Sequence, residues 1–416
     1  MACLAVFVAL LLGAAGRLAD AWKRASGVPA EGAGQAAAGP GPAKVWTFEP
    51  AERGAIVSTP LVAGGHVYVS VIHDAPLSTS GAVYCLNRLT GKPVWRFDDD
   101  GRMLQVYSSP CLAGGLLYVG EGMHQNHDCK LYCLEANSGQ KRWNFRTAGH
   151  IESSPCVADG RVFFGAGDDG LYCLDAATGA ESWHFQGPVH VDTSPAVGAG
   201  RVYAGSGVSL THTVTEVFCL DTRDGKVLWR TPTDLPVWGS PTIDSGEIFF
   251  GLGNGRLLEA PRPPARPAGA VLCVDAGTGR ERWRWRETDA VFCKPVVDRR
   301  HVYFAARDGC CYCLDRRGPR LAWKVDLGGP VVGRPAFVSR HLYVITADGR
   351  LVRLETGGGR VDWSWDLGAD AQAKPRVFSS PTVTPGEGAG EGRRIYFGTE
   401  LASPVSSAAV LYCLHD

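Results

Sequence analysis

The chain has 416 residues, and 42 Lys plus Arg against 42 Asp plus Glu leave a formal net charge of zero. That balance excludes a dedicated nucleic-acid or anionic-membrane surface, which needs a basic excess. Hydrophobic residues at 45% against 20% charged exclude a long disordered chain, and 53 glycines with 26 prolines favour short strands and tight turns over helical bundles.

At the N-terminus, residues 1–21 read as a signal peptide. Ala2 to Gly16 is almost wholly apolar and too short for a membrane span, and Ala19-Asp20-Ala21 supplies a small-x-small cleavage pattern, although no Lys or Arg precedes the apolar run. Cys3 stands before that run, where it cannot accept a lipid. The segment implies export to the periplasm or cell envelope, with no transmembrane segment beyond it. Residues 22–43, rich in Ala, Gly and Pro, read as a flexible linker.

From residue 44 onward four registers each recur eight times. A Trp follows a glycine turn at 46, 95, 143, 183, 229, 283, 323 and 363, and a Pro preceded by small or polar residues recurs at 60, 110, 155, 195, 241, 295, 335 and 381. An aromatic β-rich strand (HVYV, 66–69; RVFF, 161–164) and a strand of the type LYCLD (171–175) complete each unit. Each unit thus holds four short strands, A at the Pro, B at the aromatic run, C at YCLD and D at the Trp, arranged as an antiparallel meander. Such a sheet cannot bury both faces alone, so units must stack, and about 46 residues per unit is a normal propeller-blade length. The chain opens with a lone strand D (Lys44–Phe48) and closes with a unit lacking one (Val377–Leu414). The expected fold is therefore an all-β, eight-bladed β-propeller over 44–416, its last blade closed by the N-terminal strand.

The pattern resembles the quinoprotein-like, pyrroloquinoline-quinone (PQQ)-type eight-bladed propellers, whose tryptophan-docking motif is matched by LYCLDAATGAESW (171–183) and FCLDTRDGKVLW (218–229). The repeats also resemble the propeller lipoproteins of outer-membrane assembly. The resemblance implies the fold; it leaves function open, because one fold hosts many activities.

Seven of the 14 cysteines (85, 133, 173, 219, 273, 313 and 413) fall at one repeat position, where Arg353 is the exception. Equivalent positions on neighbouring blades lie about 10 Å apart, beyond the reach of a disulfide, so these read as small buried hydrophobes beside each Trp. Cys129, in a loop, is the thiol expected to react first in the native protein. The resemblance draws attention to the vicinal pair Cys310-Cys311, since catalytic quinoproteins carry a vicinal disulfide at the cofactor. By repeat alignment, however, the pair overlays Gly170-Leu171 and opens a regular strand C.

A–B turns are minimal, whereas several B–C connections (70–82, 120–130, 205–216, 251–270 and 398–409) are long, which marks the B–C face as the functional one. On the opposite face the insert Pro385–Arg393 reads as a solvated loop. Where strand A begins, His150-Ile151-Glu152 and His190-Val191-Asp192 replace the apolar residues of other blades, and with period two each His and acid point the same way, toward the channel mouth. The preceding loop carries His124, His127, Asp128 and Cys129, a set able to hold a transition metal through His124 and His127, or simply a hydrated polar loop. Trp238 is the one candidate aromatic floor, Lys294 and Arg334 replace the usual Ser or Thr before the strand A Pro and suit a carboxylate or phosphate, and the Pro261–Pro267 loop is a candidate partner contact. Asp168-Asp169-Gly170 reads as turn chemistry.

The reading favoured by these residues is an exported, non-catalytic scaffold that binds a protein partner of the cell envelope or a small polar ligand, with no cofactor and no nucleic acid. The alternative, implied by the resemblance, is a PQQ-dependent dehydrogenase oxidising an alcohol or sugar with Ca²⁺ at its cofactor.

Overall fold

The computed structural model describes residues 39–416, apart from 76–77, 125, 256–265, 371–373, 386–391 and 403–406. The expected signal peptide, most of the expected linker, and the larger parts of the 261–267 loop and the 385–393 insert lie outside the described residues. No helix among the described residues is long and apolar enough to cross a membrane.

Eight antiparallel sheets follow one another along the chain, six of four strands and two of five. Blade three is typical: strands A to D run Cys156–Ala158, Arg161–Gly165, Leu171–Asp175 and Glu181–Phe185. Strand A is innermost, and the A strands of successive blades approach one another around the central channel. The first and last parts of the chain share one blade. Ala43–Phe48 pairs with Ser407–His415 and sets Trp46 opposite Cys413, the same Trp–Cys register as Trp183 opposite Cys173 inside blade three. The ring is closed as the split eighth unit predicts.

The core lies between blades, not within them. One apolar cluster joins Tyr118, Leu131 and Cys133 of blade two to Val162, Phe164 and Leu174 of blade three, and the closing cluster joins Trp46, Phe48 and Leu411 of blade eight to Val67, Val69 and Leu86 of blade one. The repeated Trp fastens these joints. In seven blades its indole N–H donates to a backbone carbonyl in the C–D turn of the next blade, as Trp183 does to Thr222 O at 2.9 Å and Trp46 to Arg88 O at 3.1 Å. The ring packs on a turn glycine such as Gly225 (φ 69°), where a Cβ would stand 2.8 Å from Trp183. Only glycine meets both demands.

Blade seven departs from this scheme. Trp363 donates to the Asp416 carboxylate at 2.8 Å, and Arg353, which stands where other blades have Cys, binds the same oxygen at 2.7 Å. The missing cysteine is thus a cation for that acid. Burial alone would raise the Asp416 pKa, but donors from Tyr343, Arg353 and Trp363 hold it below the ordinary carboxylate value. Its stabilisation is therefore present above the unfolded pKa of about 4 and lost as pH falls below it. Asp416→Asn is expected to lower the thermal midpoint at pH 7 and to lose less than the parent chain on further acidification to about pH 3. Melting curves at the two pH values check this.

Two of the long B–C connections are not loops. His66–Ala75 pairs with Ser78–Asn87, and Arg394–Ala402 with Ser407–His415, as extended hairpins. Their Ser, Thr and Gly content reads as turn, but cross-strand pairing with Val and Ile neighbours carries the strands through it.

All 13 cysteines among the described residues are free. Those at the repeat position are buried, and burial pushes most of these thiols up to about 12. Cys310 and Cys311 lie buried in the regular strand Cys310–Asp315. Cys129 corrects the expectation: it opens strand Cys129–Glu135, is fully buried, and burial pushes its thiol up to about 12. Native labelling with a thiol reagent is thus expected first at the half-buried Cys111 and Cys156, with Cys129 and the repeat-position thiols released only in denaturant. Peptide mass mapping before and after unfolding reads this directly.

Candidate functional site

The residues that enter strand A build the channel mouth, and their hydroxyls explain the recurring polar pair before the Pro. The first hydroxyl ties the segment to strand B of its own blade, as Ser153 Oγ bridges Gly165 O and N, both at 2.8 Å. The second accepts an amide from the preceding blade: Thr59 N–H to Ser109 Oγ, Ser109 to Ser154, Ser154 to Ser194 and Ser194 to Ser240, all at 2.9 to 3.0 Å. This belt positions everything above it. Lys294 in blade six and Arg334 in blade seven occupy belt positions. Neither has an acid partner among the described residues, and Lys294 acts electrostatically on Cys156 across the channel. Burial and the neighbouring Arg334 cation lower the Lys294 pKa, while the Arg334 side chain is exposed to the channel.

One layer toward the B–C face, two sectors of the mouth stand out, while Tyr107 of blade two faces Asp74 and Glu400 in a third. The sector made by blades five and six is aromatic. Trp238 is half-buried, donates its indole N–H to Gly253 O at 3.0 Å, and lies 6.3 Å from the Phe292 ring. The sector made by blades three and four is a cluster of imidazoles and acids. His190 Nε2 lies 2.7 Å and His150 Nε2 3.0 Å from the Asp192 carboxylate, and His124, from the loop of blade two, brings its Nε2 to 3.4 Å of the same group. The outer nitrogens are held as well: His124 Nδ1 is 2.6 Å from Glu152 and His190 Nδ1 is 2.6 Å from Asp168. The His124 and His150 rings stack at 4.9 Å. His150 and His190 are 4% and 1% exposed, so their orientation is imposed by packing.

The electrostatics follow from this crowding. Burial lowers the His190 pKa, but Asp192 and Asp168 outweigh it and the net shift is upward. Burial would raise Asp192, yet His150 and His190 hold it far below the usual carboxylate range. Asp168 is brought down to about 2, because donors from Thr211, Ser209 and His190 exceed its desolvation.

The structure thus brings His124, His150, Glu152, His190 and Asp192 together and leaves the exposed His127 outside the group. Trp238 flanks them on the next blade, while Lys294 and Arg334 sit at belt level. Asp168 was missed as turn chemistry. It binds His190 and also takes Thr211 at 2.5 Å and His212 at 3.1 Å, the latter a residue of the 205–216 loop that no repeat register singles out.

The family described as outer membrane protein assembly factor BamB matches residues 36–127, 81–207, 189–260 and 267–407. The chain belongs to that family. No curated protein matches it. Among solved structures, BamB from Moraxella catarrhalis is 16% identical with a TM-score of 0.61, covering 89% of this chain and 98% of that one. A quinohemoprotein alcohol dehydrogenase from Pseudomonas putida HK5 is 14% identical with a TM-score of 0.64, over 90% of this chain and 76% of that one. A europium-containing methanol dehydrogenase is 13% identical with a TM-score of 0.63, over 90% and 93%. At these identities the likeness to BamB and to the dehydrogenases is one of fold.

A quinone held with Ca²⁺ would need oxygen ligands at the mouth. Two of the acids there, Glu152 and Asp192, are engaged by imidazoles, Asp74 and Glu400 lie near Tyr107 on the side of blades one, two and eight, and Cys310-Cys311 is buried within a strand.

Proposed function

We propose that the chain is an exported, non-catalytic binding propeller of the cell envelope that receives an acidic segment of a protein partner at the channel mouth of its B–C face. The observation that carries this reading is the pair Lys294 and Arg334, two cations set toward one channel with no acid partner among the described residues. Elsewhere the belt uses neutral hydroxyls that satisfy the backbone, so nothing in the architecture requires charge at these two positions. A carboxylate would satisfy both cations, and Trp238 and Phe292 offer apolar contact above them. Membership of a family described as an assembly factor supports a protein partner over a metabolite.

The test is titration of a labelled oligoglutamate peptide. Saturable, salt-sensitive binding that falls at least about tenfold in Lys294→Gln with Arg334→Gln supports the reading. Binding unchanged in that variant overturns it, and dye-linked alcohol oxidation after addition of PQQ and Ca²⁺ overturns its non-catalytic part.

A further inference from the structure

We propose that His124, His150, His190 and Asp192 form a site for one borderline divalent transition ion, with Zn²⁺ as the reference case. One donor atom from each residue lies within 4.8 Å of every other. A tetrahedral Zn²⁺ with bonds of about 2.0–2.1 Å sets its ligand atoms about 3.4 Å apart, so small side-chain adjustments close the set. Three imidazoles and one carboxylate suit Zn²⁺ and its neighbours and do not suit Ca²⁺ or Mg²⁺, which take oxygen.

Hydrogen bookkeeping points the same way. Ionised Glu152 and Asp168 only accept hydrogen bonds, so the Nδ1 atoms of His124 and His190 carry the hydrogens aimed at them. In the neutral tautomer this turns both Nε2 lone pairs inward, against the Asp192 oxygens at 3.4 and 2.7 Å. A lone pair facing a carboxylate at such distances is repulsive, so each of these Nε2 atoms carries either a proton donated to Asp192 or, once the side chains spread slightly, a shared metal ion. Extra protons would make imidazolium ions of rings whose centroids are only 4.9 to 5.6 Å apart, whereas one divalent ion answers all four donors at once. Glu152, Asp168 and Asp192 have no Lys or Arg ion-pair partner among the described residues, so the cluster is rich in negative charge. Carboxylates behind Nδ1 also orient ligand histidines and raise their basicity.

The local backbone is prepared for it. The loop of blade two is held by Gly122 N–H to Gln105 O at 2.7 Å, by Met123 N–H to Asn126 at 2.8 Å and by His124 N–H to Glu152 at 3.1 Å. Gly167 is required beneath His150, because a Cβ there would stand 2.4 Å from the imidazole. With four protein ligands the site is closed in the sense of a structural ion. The ion would tie the loop of blade two to blades three and four and so set the shape of this side of the mouth, whatever docks there.

The experiment uses chelator-treated protein. Zn²⁺ is titrated in competition with a chromophoric chelator, and Co²⁺ is added separately to read its visible ligand-field bands. One equivalent of tight Zn²⁺ and tetrahedral Co²⁺ bands are expected. His124→Ala, on a half-exposed loop residue that the core does not need, should weaken Zn²⁺ at least about tenfold, Asp192→Asn more, and Asp168→Asn about 10- to 100-fold, while His127→Ala binds as the parent chain. No saturable one-equivalent binding overturns the proposal. So does an His124→Ala protein that binds as tightly as the parent, a loss in His127→Ala equal to that in His124→Ala, or displacement of Zn²⁺ by equimolar Ca²⁺.

Discussion

A chain that begins after Phe48 is expected to unfold about 4–8 °C below one that begins at Gly39. Trp46 and Phe48 are 9% and 7% exposed in the closed ring, and both pack into the cluster between blades eight and one. Loss of two such side chains removes about 3–6 kcal/mol of burial, a large part of a typical net stability. The deletion also takes away the indole bond to Arg88 O and leaves the turn glycine Gly91 (φ 68°) with nothing to pack against on that side. Strand Ser407–His415 would then become an open edge, so the truncated chain should also associate at higher protein concentration. Scanning calorimetry of the two chains at several concentrations measures both effects. An unchanged midpoint would show that the strand pairing contributes nothing to closure.

The fold was legible because four independent registers repeat, and each proves to have its own physical job. The Trp bridges to the next blade, the Cys sits opposite it in register, the aromatic strand fills the space between blades, and the hydroxyls before the Pro make the belt. Departures from a register were the readable part of the site: Glu152 and Asp192 stand where the other blades place Val, Tyr, Trp or Phe, and His150 and His190 are the two imidazoles at a position that elsewhere holds Ala, Pro, Gln or Arg. What stayed hidden depends on contacts distant along the chain. Asp168 looks like any turn aspartate until His190, 22 residues on, is seen against it. His124 and His127 are equivalent in sequence, and only the loop path decides that one turns in and the other out. Cys129 has the same origin, since its position after a loop conceals that it begins a buried strand.

Asp289→Ala is expected to cost about 3–5 kcal/mol, more than any single change at the site itself. Asp289 and Arg307 form a bidentate pair, Nη2 to Oδ1 at 2.6 Å and Nε to Oδ2 at 3.0 Å, with side chains only 8% and 3% exposed. Taking away the carboxylate breaks the bidentate pair and removes a counter-charge from a buried guanidinium, and that penalty is the larger part of the cost. The guanidinium carbon also lies 5.7 Å from the centroid of Phe292, so a displaced Arg307 would disturb the aromatic sector of the channel mouth. Removal of both charges has a different sign. With Asp289→Leu and Arg307→Met together neither charge of the pair remains, and most of the lost stability should return. Urea unfolding of the two single variants and the double variant closes the cycle. A double variant as unstable as the sum of the singles would mean that the pair is not coupled, and that Arg307 is held in place by its other contacts rather than by Asp289.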